Sequence, residues 1–578
     1  MKKSRYWAVI IITFGVFMGL SARLIYVTVI ARDEILLKAQ SQILQKLALP
    51  AKRGSIVDRN GSLLASSTEA YRVDVDLATF RRKLEKTDRE ASYYAAPLAE
   101  VLGMEVDEVL SKLTSESTSV ILKRKIEKDT VDALRAYIGE ANVDFLVIGY
   151  DDIRYFPNSN YLSQVLGAVN IDGEGIMGLE YYYDDLLKGV DGIKIAETDK
   201  QRRELPYSDV IETPAINGSD LYLTIDEKIQ YIVEKTAEAA MEKHEADSVT
   251  ILVSDPKTGG VLGLVNLPDF DPNKPFEGKT SDEFNEISRN FAVNDSYEPG
   301  STFKIVTISA ALEEGVIGEH ELFHCDGFIY VNGVRIKCVN NKAHGDQTAA
   351  DVLKNSCNVA TVQIAQRLGA EKFNEYLKKF QFGAKSGIDL PGEASGIIFN
   401  LEDLTPINLA TSSFGQAQTV TPVQMLNAMN TVANGGEMIQ LHVAEKAELT
   451  DVNGEITVKD LNEEEGVPIL SKNTAESMLE YLYGATGKNP TNRAYIEGIN
   501  VFGKTGTAQK IITDENGKQK YSDEEYISSF IGGAPYEDPK ITVLVIVNNP
   551  KDDIFGSIVA SPWAREIFLE VDQYLSLR

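Results

Sequence analysis

The segment 297–315 constrains the fold of this chain more than any other part of the sequence. Pro299 and Gly300 interrupt the chain, and Ser301 then begins a predicted helix in which apolar residues recur at helical spacing. Ser301 and Lys304 lie three residues apart, so both side chains leave the same face of that helix. A serine hydroxyl is a poor nucleophile until a neighbouring group removes its proton. The segment therefore predicts a serine that Lys304 activates.

Lys304 can act as a base only when its amine is neutral, whereas the ordinary pKa of a lysine is about 10.4. Burial and a second nearby cation would both lower this pKa. We expect Lys504, far along the chain, to be that second cation. The helix N-terminus also favours the negative charge that develops on the serine oxygen. The fold must therefore bring Lys504 close to the Ser301 helix.

Two further short motifs follow the serine in the chain. The first is S-x-N, with Ser356 and Asn358, and the second is K-T-G-T at residues 504–507. We expect Ser356 to relay a proton toward a leaving amine and the Asn358 amide to hold a backbone group of the substrate. Three motifs in a fixed order are far more specific than any one of them, so we predict that all three line one active site.

The K-T-G-T segment reads as a strand beside the substrate. Lys504 would attract the anionic end of a substrate, and Gly506 would let the strand edge approach that substrate closely. Thr505 and Thr507 offer hydroxyl groups there. The backbone N–H groups of Ser301 and Thr507 would form an oxyanion hole.

Composition limits the classes of protein to consider. The chain has 578 residues, of which 43% are hydrophobic and 25% charged, which is typical of a globular protein with two or more domains. Its net charge of −28 leaves no basic stripe for nucleic-acid phosphates. Three cysteines are too few for a disulfide scaffold.

The N-terminus predicts a membrane anchor. Basic residues precede an uncharged, mostly apolar run at 6–22, which extends to residue 30 and is then long enough to cross a bilayer. The basic residues place the N-terminus in the cytoplasm and the remaining chain outside. A cleaved signal peptide is the alternative. Gly15 and Gly19 share a helical face with Arg23. Either Arg23 extends to the membrane surface, or this face docks on another membrane protein.

We predict three regions: a cytoplasmic tip and transmembrane helix at 1–31, a non-catalytic, dimerisation-like pedestal at 32–216, and the catalytic domain at 217–578. The fold class is α+β. An antiparallel sheet would pack against a helical cluster that holds the Ser301 helix, above an elongated mixed α/β pedestal. We also expect an amphipathic helix at 32–47 and a polar, mobile loop at 512–523.

A cysteine and histidine cluster indicates a metal site. Cys325, Cys338, His344 and Cys357 offer thiolate and imidazole ligands that suit tetrahedral zinc. Either of two nearby residues, Asp326 or His324, could replace Cys357. The alternatives are a disulfide between the first two cysteines or unrelated buried thiols. A zinc ion here would be structural, because Ser301 and Lys304 already supply the chemistry.

The sequence resembles the class B penicillin-binding proteins over nearly its whole length. Arg53-Gly54 and the segment 175–180 resemble motifs of that family's pedestal, and segments 297–304, 414–416 and 503–507 resemble motifs of its transpeptidase domain. The ordered triple S-x-x-K, S-x-N and K-T-G is the corresponding signature.

The resemblance implies a bitopic peptidoglycan D,D-transpeptidase. In such an enzyme the penultimate D-Ala of a stem peptide would acylate Ser301, the terminal D-Ala would leave, and an amine from a neighbouring stem would attack the acyl-enzyme. β-Lactams would acylate the same serine, which makes the protein an antibiotic target, and no catalytic cofactor is implied. The implied partners are stem peptides, a SEDS-type membrane glycosyltransferase and other cell-wall synthesis proteins.

Other functions use the same three motifs. A β-lactamase brings water to the acyl-enzyme, and a D,D-carboxypeptidase uses water in place of the acceptor amine. A β-lactam sensor binds covalently without turnover and needs a cytoplasmic signalling part, whereas five residues precede Tyr6. The sequence leaves open whether the enzyme serves cell division, cell shape through elongation, or sporulation.

Overall fold

The computed structural model describes residues 2–32, 44–197, 211–462, 465–513 and 519–578. The chain divides into two compact units. The first contains Met1–Lys52, Lys188–Gly218 and Thr450–Thr457, and the second contains Arg53–Leu187, Ser219–Leu449 and Val458–Arg578. The predicted boundaries at residues 31 and 216 stay predictions.

The first unit begins with the apolar N-terminal helix. Lys2–Ile25 is α-helical and continues as a π-helical turn at Tyr26–Ile30. Within it, Arg5–Ile30 is long and apolar enough to cross a membrane, and none of its hydrophobic window is buried. Thr13 and Thr28 donate their hydroxyl protons to backbone carbonyls one turn earlier, as polar side chains in an apolar solvent must.

A three-stranded antiparallel sheet completes this unit. Its strands are Leu44–Leu49, Gly192–Glu197 and Ile211–Thr213, in that order. The helix predicted at 32–47 is therefore wrong at its end, where Leu44 pairs with Glu197 and Leu49 with Gly192. Apolar residues at positions 44, 47 and 49 are compatible with the periodicity of a helix or of a strand. Pairing with a distant strand makes this segment a strand. The rest of that prediction, at 33–43, lies outside the described residues.

The second unit contains most of the pedestal. An extended sheet has the strand order Ile456–Asp460, Ala444–Thr450, Asp220–Leu223, Ile56–Val57, Leu63–Asp76 and Ser119–Ile126, and Leu146–Tyr155 pairs with Leu63–Asp76. A tight turn at Arg59 and Asn60 joins the strands Ile56–Val57 and Leu63–Asp76, and the N–H of Gly61 donates to the carbonyl of Asp58 at 3.1 Å. The pedestal helices are Leu77–Thr87, Ser92–Leu102, Val106–Leu113, Lys128–Glu140, Ser163–Leu166, Gly178–Tyr182 and Asp184–Leu187.

A buried ion cluster explains the two pedestal motifs. Glu180 is fully buried and accepts from Arg53 Nε and Arg154 Nε, each at 2.6 Å. Arg53 also pairs with Asp184 at 2.7 Å, and Arg154 Nη1 donates to the carbonyl of Gly54 at 2.7 Å. Buried charges are tolerated only when they are paired in this way, so the loss of any one partner would be strongly destabilising.

The catalytic part is built on a five-stranded antiparallel sheet, as predicted. Its order is Val261–Leu267, Ser248–Ser254, Ile541–Asn548, Gln519–Ala534 and Phe502–Thr513. Both faces are covered: Val543 and Val545 pack with the helices Glu227–His244 and Ser561–Leu575, whereas Leu544 and Ile546 pack with the cluster of the Ser301 helix. Burial of both faces explains why the strand at 541–548 is almost continuously apolar.

The other helices of the catalytic part include the helical cluster around the site. They are Ser281–Ile287, Phe291–Asn294, Lys304–Glu313, Ala349–Asn355, Asn358–Lys379, Pro406–Ser413, Pro422–Ala433, Lys472–Ala485 and Gly556–Val559. Short strands are Ala168–Val169, Gly175–Met177, Phe323–Cys325, Phe328–Val331, Val334–Lys337, Gly345–Gln347, Glu437–Met438 and Val467–Pro468.

The loop predicted at 512–523 is wrong at both of its ends, where the structure has strands. The two strands of the K-T-G hairpin continue into this segment, where Ile512 pairs with Lys520 and Thr513 with Gln519. Polar side chains are compatible with a hairpin whose end is exposed, so polarity alone did not exclude a strand. Residues 514–518 lie outside the described part.

Candidate active site

The predicted nucleophile lies where three segments meet. Gly300–Phe303 forms a 3₁₀ turn that leads into the helix Lys304–Glu313. Gly300 has a φ of +56°, and its N–H donates to the carbonyl of Gly415 at 3.0 Å. A Cβ atom on Gly415 would lie 2.2 Å from the carbonyl oxygen of Gly300. Glycine is required at both positions because the backbones touch and because Gly300 has left-handed geometry.

The amine of Lys304 joins the first two motifs. Its Nζ lies 2.8 Å from Ser301 Oγ and 2.7 Å from Asn358 Oδ1. It also donates to the Ser356 carbonyl at 2.9 Å and lies 3.2 Å from Ser356 Oγ. The structure therefore brings together Ser301, Lys304, Ser356 and Asn358, as predicted.

Burial gives Lys304 the properties of a base. The side chain is fully buried. Burial lowers the pKa of Lys304 well below its usual value, and the positive charge of Lys504 lowers it further. A neutral amine in contact with a serine hydroxyl can accept its proton.

Lys504 lies on the strand Phe502–Thr513 and is 4% exposed. Its Nζ donates to the carbonyl of Thr505 at 3.0 Å. Burial lowers the pKa of Lys504 to about 7, so this amine is itself only partly charged at neutral pH. Because its charge acts on Lys304, the third motif is electrostatically coupled to the first.

The remaining K-T-G-T residues border the same cleft. Thr505 and Thr507 line it, and Thr507 Oγ1 accepts from the N–H of Gly556 at 3.1 Å. Gly506 is also needed for packing: a Cβ atom there would lie 2.4 Å from Ser529 Oγ and 3.0 Å from the Pro299 carbonyl, and its role beside the substrate stays a prediction. The absent side chain lets the strand pack against its neighbour and the nucleophile loop.

The S-x-N motif connects two helices through a tight turn. Ser356 follows Ala349–Asn355 with a φ of +52°, a left-handed conformation that is uncommon outside glycine. Cys357 caps the next helix, Asn358–Lys379, and its Sγ accepts from the N–H of Ala360. This strained turn aims the Ser356 and Asn358 side chains at Lys304.

Sequence reasoning missed a buried carboxylate beside the nucleophile. Glu298 is 5% exposed, and its Oε1 accepts from the Ala417 N–H at 2.8 Å and from the Tyr521 hydroxyl at 3.0 Å. Burial raises the pKa of Glu298. The acid immediately before Pro299 was the only local signal, and its two partners are far away in sequence. Glu298 ties the nucleophile loop to the turn after Phe414 and to the K-T-G hairpin.

All four predicted metal ligands converge. The ligand atoms of Cys325, Cys338, His344 and Cys357 lie within 4.8 Å of one another. The Sγ atoms of Cys338 and Cys357 are 3.6 Å apart, and His344 Nδ1 lies 3.7 Å from Cys325 Sγ and 3.5 Å from Cys338 Sγ. The contact with Cys357 lowers the pKa of Cys338, which favours the thiolate form of Cys338.

These separations fit the tetrahedral coordination of a zinc ion. Zinc bonds of about 2.3 Å to sulfur and about 2.1 Å to nitrogen imply about 3.8 Å between two sulfurs and about 3.6 Å between sulfur and nitrogen. The alternative ligands lie elsewhere: His324 is exposed and pairs with Asp346 at 2.6 Å and Asp326 at 3.1 Å. The three cysteines are free, so the predicted alternative of a disulfide between Cys325 and Cys338 is wrong here.

The cluster is built into the active site. Cys357 is the middle residue of the S-x-N motif, and Asn358 Nδ2 donates to the carbonyl of Lys337 at 3.4 Å, next to Cys338. A cavity of about 970 Å³ is lined by Ser301, Ser356, Asn358, Thr505 and Thr507, and also by Cys338.

Comparison with known proteins agrees with this geometry. Residues 249–569 match the penicillin binding protein transpeptidase domain, and residues 48–223 match the penicillin-binding protein dimerisation domain. The chain is 36% identical to stage V sporulation protein D of Bacillus subtilis, over 96% of this chain and 83% of that protein. It is 28% identical to the probable peptidoglycan D,D-transpeptidase PenA of Neisseria meningitidis, over 95% of this chain and 89% of that protein.

A solved structure extends the similarity to three dimensions. Penicillin binding protein 3 of Mycobacterium tuberculosis, complexed with aztreonam, superimposes with a TM-score of 0.68 and 25% identity, and the match covers 92% of this chain and 98% of that one. The apolar helix and these relatives indicate a single-pass membrane protein. The chain belongs to the class B penicillin-binding proteins and is a peptidoglycan D,D-transpeptidase.

Proposed function

We propose that the enzyme cross-links stem peptides through an acyl-enzyme on Ser301. Ser301 Oγ attacks the carbonyl carbon of the penultimate D-Ala, while the Lys304 amine takes the hydroxyl proton. The observation that carries this proposal is the fully buried Lys304 amine, 2.8 Å from Ser301 Oγ. The peptide bond to the terminal D-Ala breaks, and an ester to Ser301 remains.

We assign Ser356 to proton delivery. Its hydroxyl lies 3.2 Å from Lys304 Nζ and can pass the proton to the nitrogen of the departing D-Ala. In the second half of the reaction an acceptor amine attacks the ester, loses a proton along the same route in reverse, and forms the cross-link. Ser301 is thereby restored.

The other residues of the motifs would bind the substrate. Asn358 would hold a backbone amide, Lys504 would attract the terminal carboxylate, and Thr505 and Thr507 would donate hydroxyl hydrogen bonds to it. Gly506 keeps this strand close to the nucleophile loop. The N–H groups of Ser301 and Thr507 would stabilise the oxyanion.

A product assay tests the reaction and its alternatives. Full-length enzyme would be incubated with a pentapeptide donor and an amine acceptor, and the products weighed by mass spectrometry. We expect dimeric peptides and one released D-Ala for each cross-link, and none of either with Ser301→Ala. Release of D-Ala without dimers would instead indicate a D,D-carboxypeptidase. Acylation by penicillin without any peptide product would indicate a sensor, and rapid penicillin turnover a β-lactamase.

We also propose that a structural Zn²⁺ occupies Cys325, Cys338, His344 and Cys357. The fit of the donor atoms supports this proposal. The ion would hold the S-x-N turn against the hairpin strand Val334–Lys337 and would take no part in the chemistry.

Metal analysis of purified protein tests the zinc site. We expect one zinc per chain, retained by His324→Ala and lost by His344→Ala. His324 is the matched control because it lies nearby in sequence but binds aspartates at the surface. Wild-type protein without zinc, or with a cross-linked cysteine pair, would contradict the proposal.

We infer that the N-terminus is cytoplasmic and the catalytic part extracytoplasmic, because basic residues precede the apolar helix.

We propose a SEDS-type glycosyltransferase as the membrane partner. A Cβ atom on Gly15 or Gly19 would meet nothing within 4 Å, so this face is open to a neighbour. Gly15→Leu with Gly19→Leu should weaken co-purification with that partner, and unchanged co-purification would remove this idea. The similarity to stage V sporulation protein D supports a role in sporulation.

A further inference from the structure

The active-site cavity has a charge opposite to that of the protein. The chain has 86 acidic and 58 basic residues. Among the residues that the structure describes, however, the cavity lining contains Lys337, Lys354 and Arg493 and no aspartate or glutamate. A cleft of one charge sign focuses the electrostatic field and favours ligands of the opposite sign.

The three cations come from different elements and are held at the site. Lys337 ends the strand Val334–Lys337, and its carbonyl accepts from Asn358 Nδ2 at 3.4 Å. Lys354 lies in the last turn of a helix, two residues before Ser356. Arg493 follows Asn492, whose Nδ2 donates to the carbonyl of Ala485 at 3.2 Å and fixes the loop.

These three side chains have no ion-pair partner among the described residues, although Lys354 also borders a smaller cavity lined by Glu319, Asp351 and Glu480. None of the three makes a side-chain hydrogen bond or an ion pair with another described residue, and all three are exposed. By contrast, the nearby Lys488 pairs with Glu480 at 3.7 Å. Three unpaired cations along one cavity give it a positive potential that favours a bound anion.

Within the proposed function, the terminal carboxylate of the donor is assigned to Lys504, so the three cations remain without an assigned ligand. We propose that Lys337, Lys354 and Arg493 form an anion subsite that selects stem peptides with a free side-chain carboxylate at the third residue, a diamino diacid. Arg493 can bind a carboxylate through two parallel hydrogen bonds. A stem with lysine at that position keeps the side-chain ammonium group but lacks the carboxylate, so it would be repelled. This inference rests on the proposed transpeptidation.

Synthetic donors test the subsite without any mutation. Three pentapeptides would differ only at the third residue: diaminopimelate, its side-chain amide, and lysine. We expect full-length enzyme to release D-Ala from the free diacid with a kcat/KM about tenfold above both the amide and lysine, because each of these two presents an ammonium group without a carboxylate. Exposed charge pairs each contribute a few-fold, so three cations give about this factor. The preference should shrink at high salt because exposed charges are screened.

Substitutions test whether these three side chains cause the preference for the free diacid. Lys337→Gln, Lys354→Gln and Arg493→Gln should each reduce it about two- to fourfold, and the triple variant should abolish it. Lys488→Gln is the control, because that lysine already has a partner, and it should keep the full preference.

Penicillin acylation separates this inference from the proposed function. If Ser301 is not acylated by penicillin, the proposed function fails. If Ser301 is acylated but wild-type enzyme uses the three donors equally well, the subsite is overturned and the reaction stands. A preference that survives in the triple variant would also overturn the subsite, because the selection would then lie elsewhere.

Discussion

At the scale of single residues, Lys304 and Lys504 are two buried amines that must be in different protonation states. Lys304 must be neutral to accept a proton. Burial lowers its pKa most, and the charge of Lys504 lowers it further, so the neutral form is favoured. Lys504 must be positive to attract a carboxylate, yet burial lowers its pKa to about 7. A bound carboxylate would raise the pKa of Lys504 again. The substrate therefore helps to charge the group that binds it.

Acylation by penicillin should have a bell-shaped pH profile. As pH falls, Lys304 is protonated and the rate drops. As pH rises through about 7 in the free enzyme, Lys504 loses its charge and kcat/KM drops on the alkaline side. Lys504→Arg should move the alkaline limb upward, because arginine stays protonated throughout this range.

Stopped-flow acylation from pH 5 to 10 measures both limbs. Lys510→Arg is the control, because Lys510 forms an ion pair with Glu525 on the same hairpin at 3.1 Å, and it should leave the profile unchanged. An alkaline limb that stays in place in Lys504→Arg would show that Lys504 does not set it.

The sequence predicted the members of this site because the motifs name them, but not their environment. The motif order predicted that Lys304 and Asn358 belong to one site, but not that they contact each other. The pKa of Lys504 depends on how deeply the strand is buried, and the partners of Glu298 lie far along the chain. Such quantities depend on tertiary packing, which local spacing does not report.

At the scale of elements, the hairpin Phe502–Thr513 with Gln519–Ala534 forms one wall of the cleft, and Glu298 fastens it to the nucleophile loop. Tyr521 donates its hydroxyl proton to Glu298 Oε1 at 3.0 Å. The other carboxylate oxygen is buried and, within the described residues, lacks a partner. The carboxylate therefore depends strongly on Tyr521 and Ala417.

Tyr521→Phe should lower penicillin acylation about three- to tenfold, because a hydrogen bond to a carboxylate contributes about 1.5 kcal/mol or more. The melting temperature should fall by only a few degrees, because a loss of about 1.5 kcal/mol is small for a unit of this size and the 40% exposed ring is retained. Acylation rate and thermal unfolding would be measured together. Tyr231→Phe, an exposed tyrosine distant from the cleft in sequence, is the control. Unchanged acylation in Tyr521→Phe would show that the hydrogen bond from Tyr521 to Glu298 is not needed to hold the hairpin in position.

Long elements with their own caps are recognisable from the sequence alone. The helix Glu227–His244 follows Asp226, whose side chain accepts from two helix N–H groups, and Pro422–Ala433 follows Thr421 in a capping box. The strand Leu44–Leu49 and the outer part of the K-T-G hairpin were missed. Both depend on pairing with a partner strand, and neither has a distinctive local pattern.

At the scale of the whole molecule, buried polar groups connect pedestal residues to the catalytic part. Glu234, on the helix Glu227–His244, accepts from the N–H of Leu162 at 3.1 Å and from Gln230 at 2.8 Å. Burial raises the pKa of Glu234 from 4.5 to about 7. Tyr183 likewise donates to Asp389 at 2.9 Å. Folding therefore protonates a carboxyl group at this contact.

Stability should consequently depend on pH between about 4.5 and 7. Glu234 is protonated in the folded state but ionises in the unfolded chain above pH 4.5, so its contribution is complete below that pH and is lost as pH rises toward 7. The loss is about 3 kcal/mol at 1.36 kcal/mol for each pKa unit. Glu234→Gln should remove this dependence and stabilise the protein at pH 7.5.

Denaturant unfolding at pH 5, 6, 7 and 8 measures the effect. Glu242→Gln, an exposed acid near the end of the same helix, is the control and should retain the wild-type pH dependence. If Glu234→Gln is destabilised at pH 7.5 and keeps the slope, Glu234 is ionised in the folded protein.

The most direct measurement for the whole account is the intact mass of the protein after exposure to penicillin, with peptide mapping of any adduct. The account predicts one penicilloyl group per chain, located on Ser301, absent from Ser301→Ala and formed far more slowly by Lys304→Ala. An adduct that persists in Ser301→Ala, or wild-type protein that acquires none, would contradict the assignment of Ser301 and Lys304 as nucleophile and base.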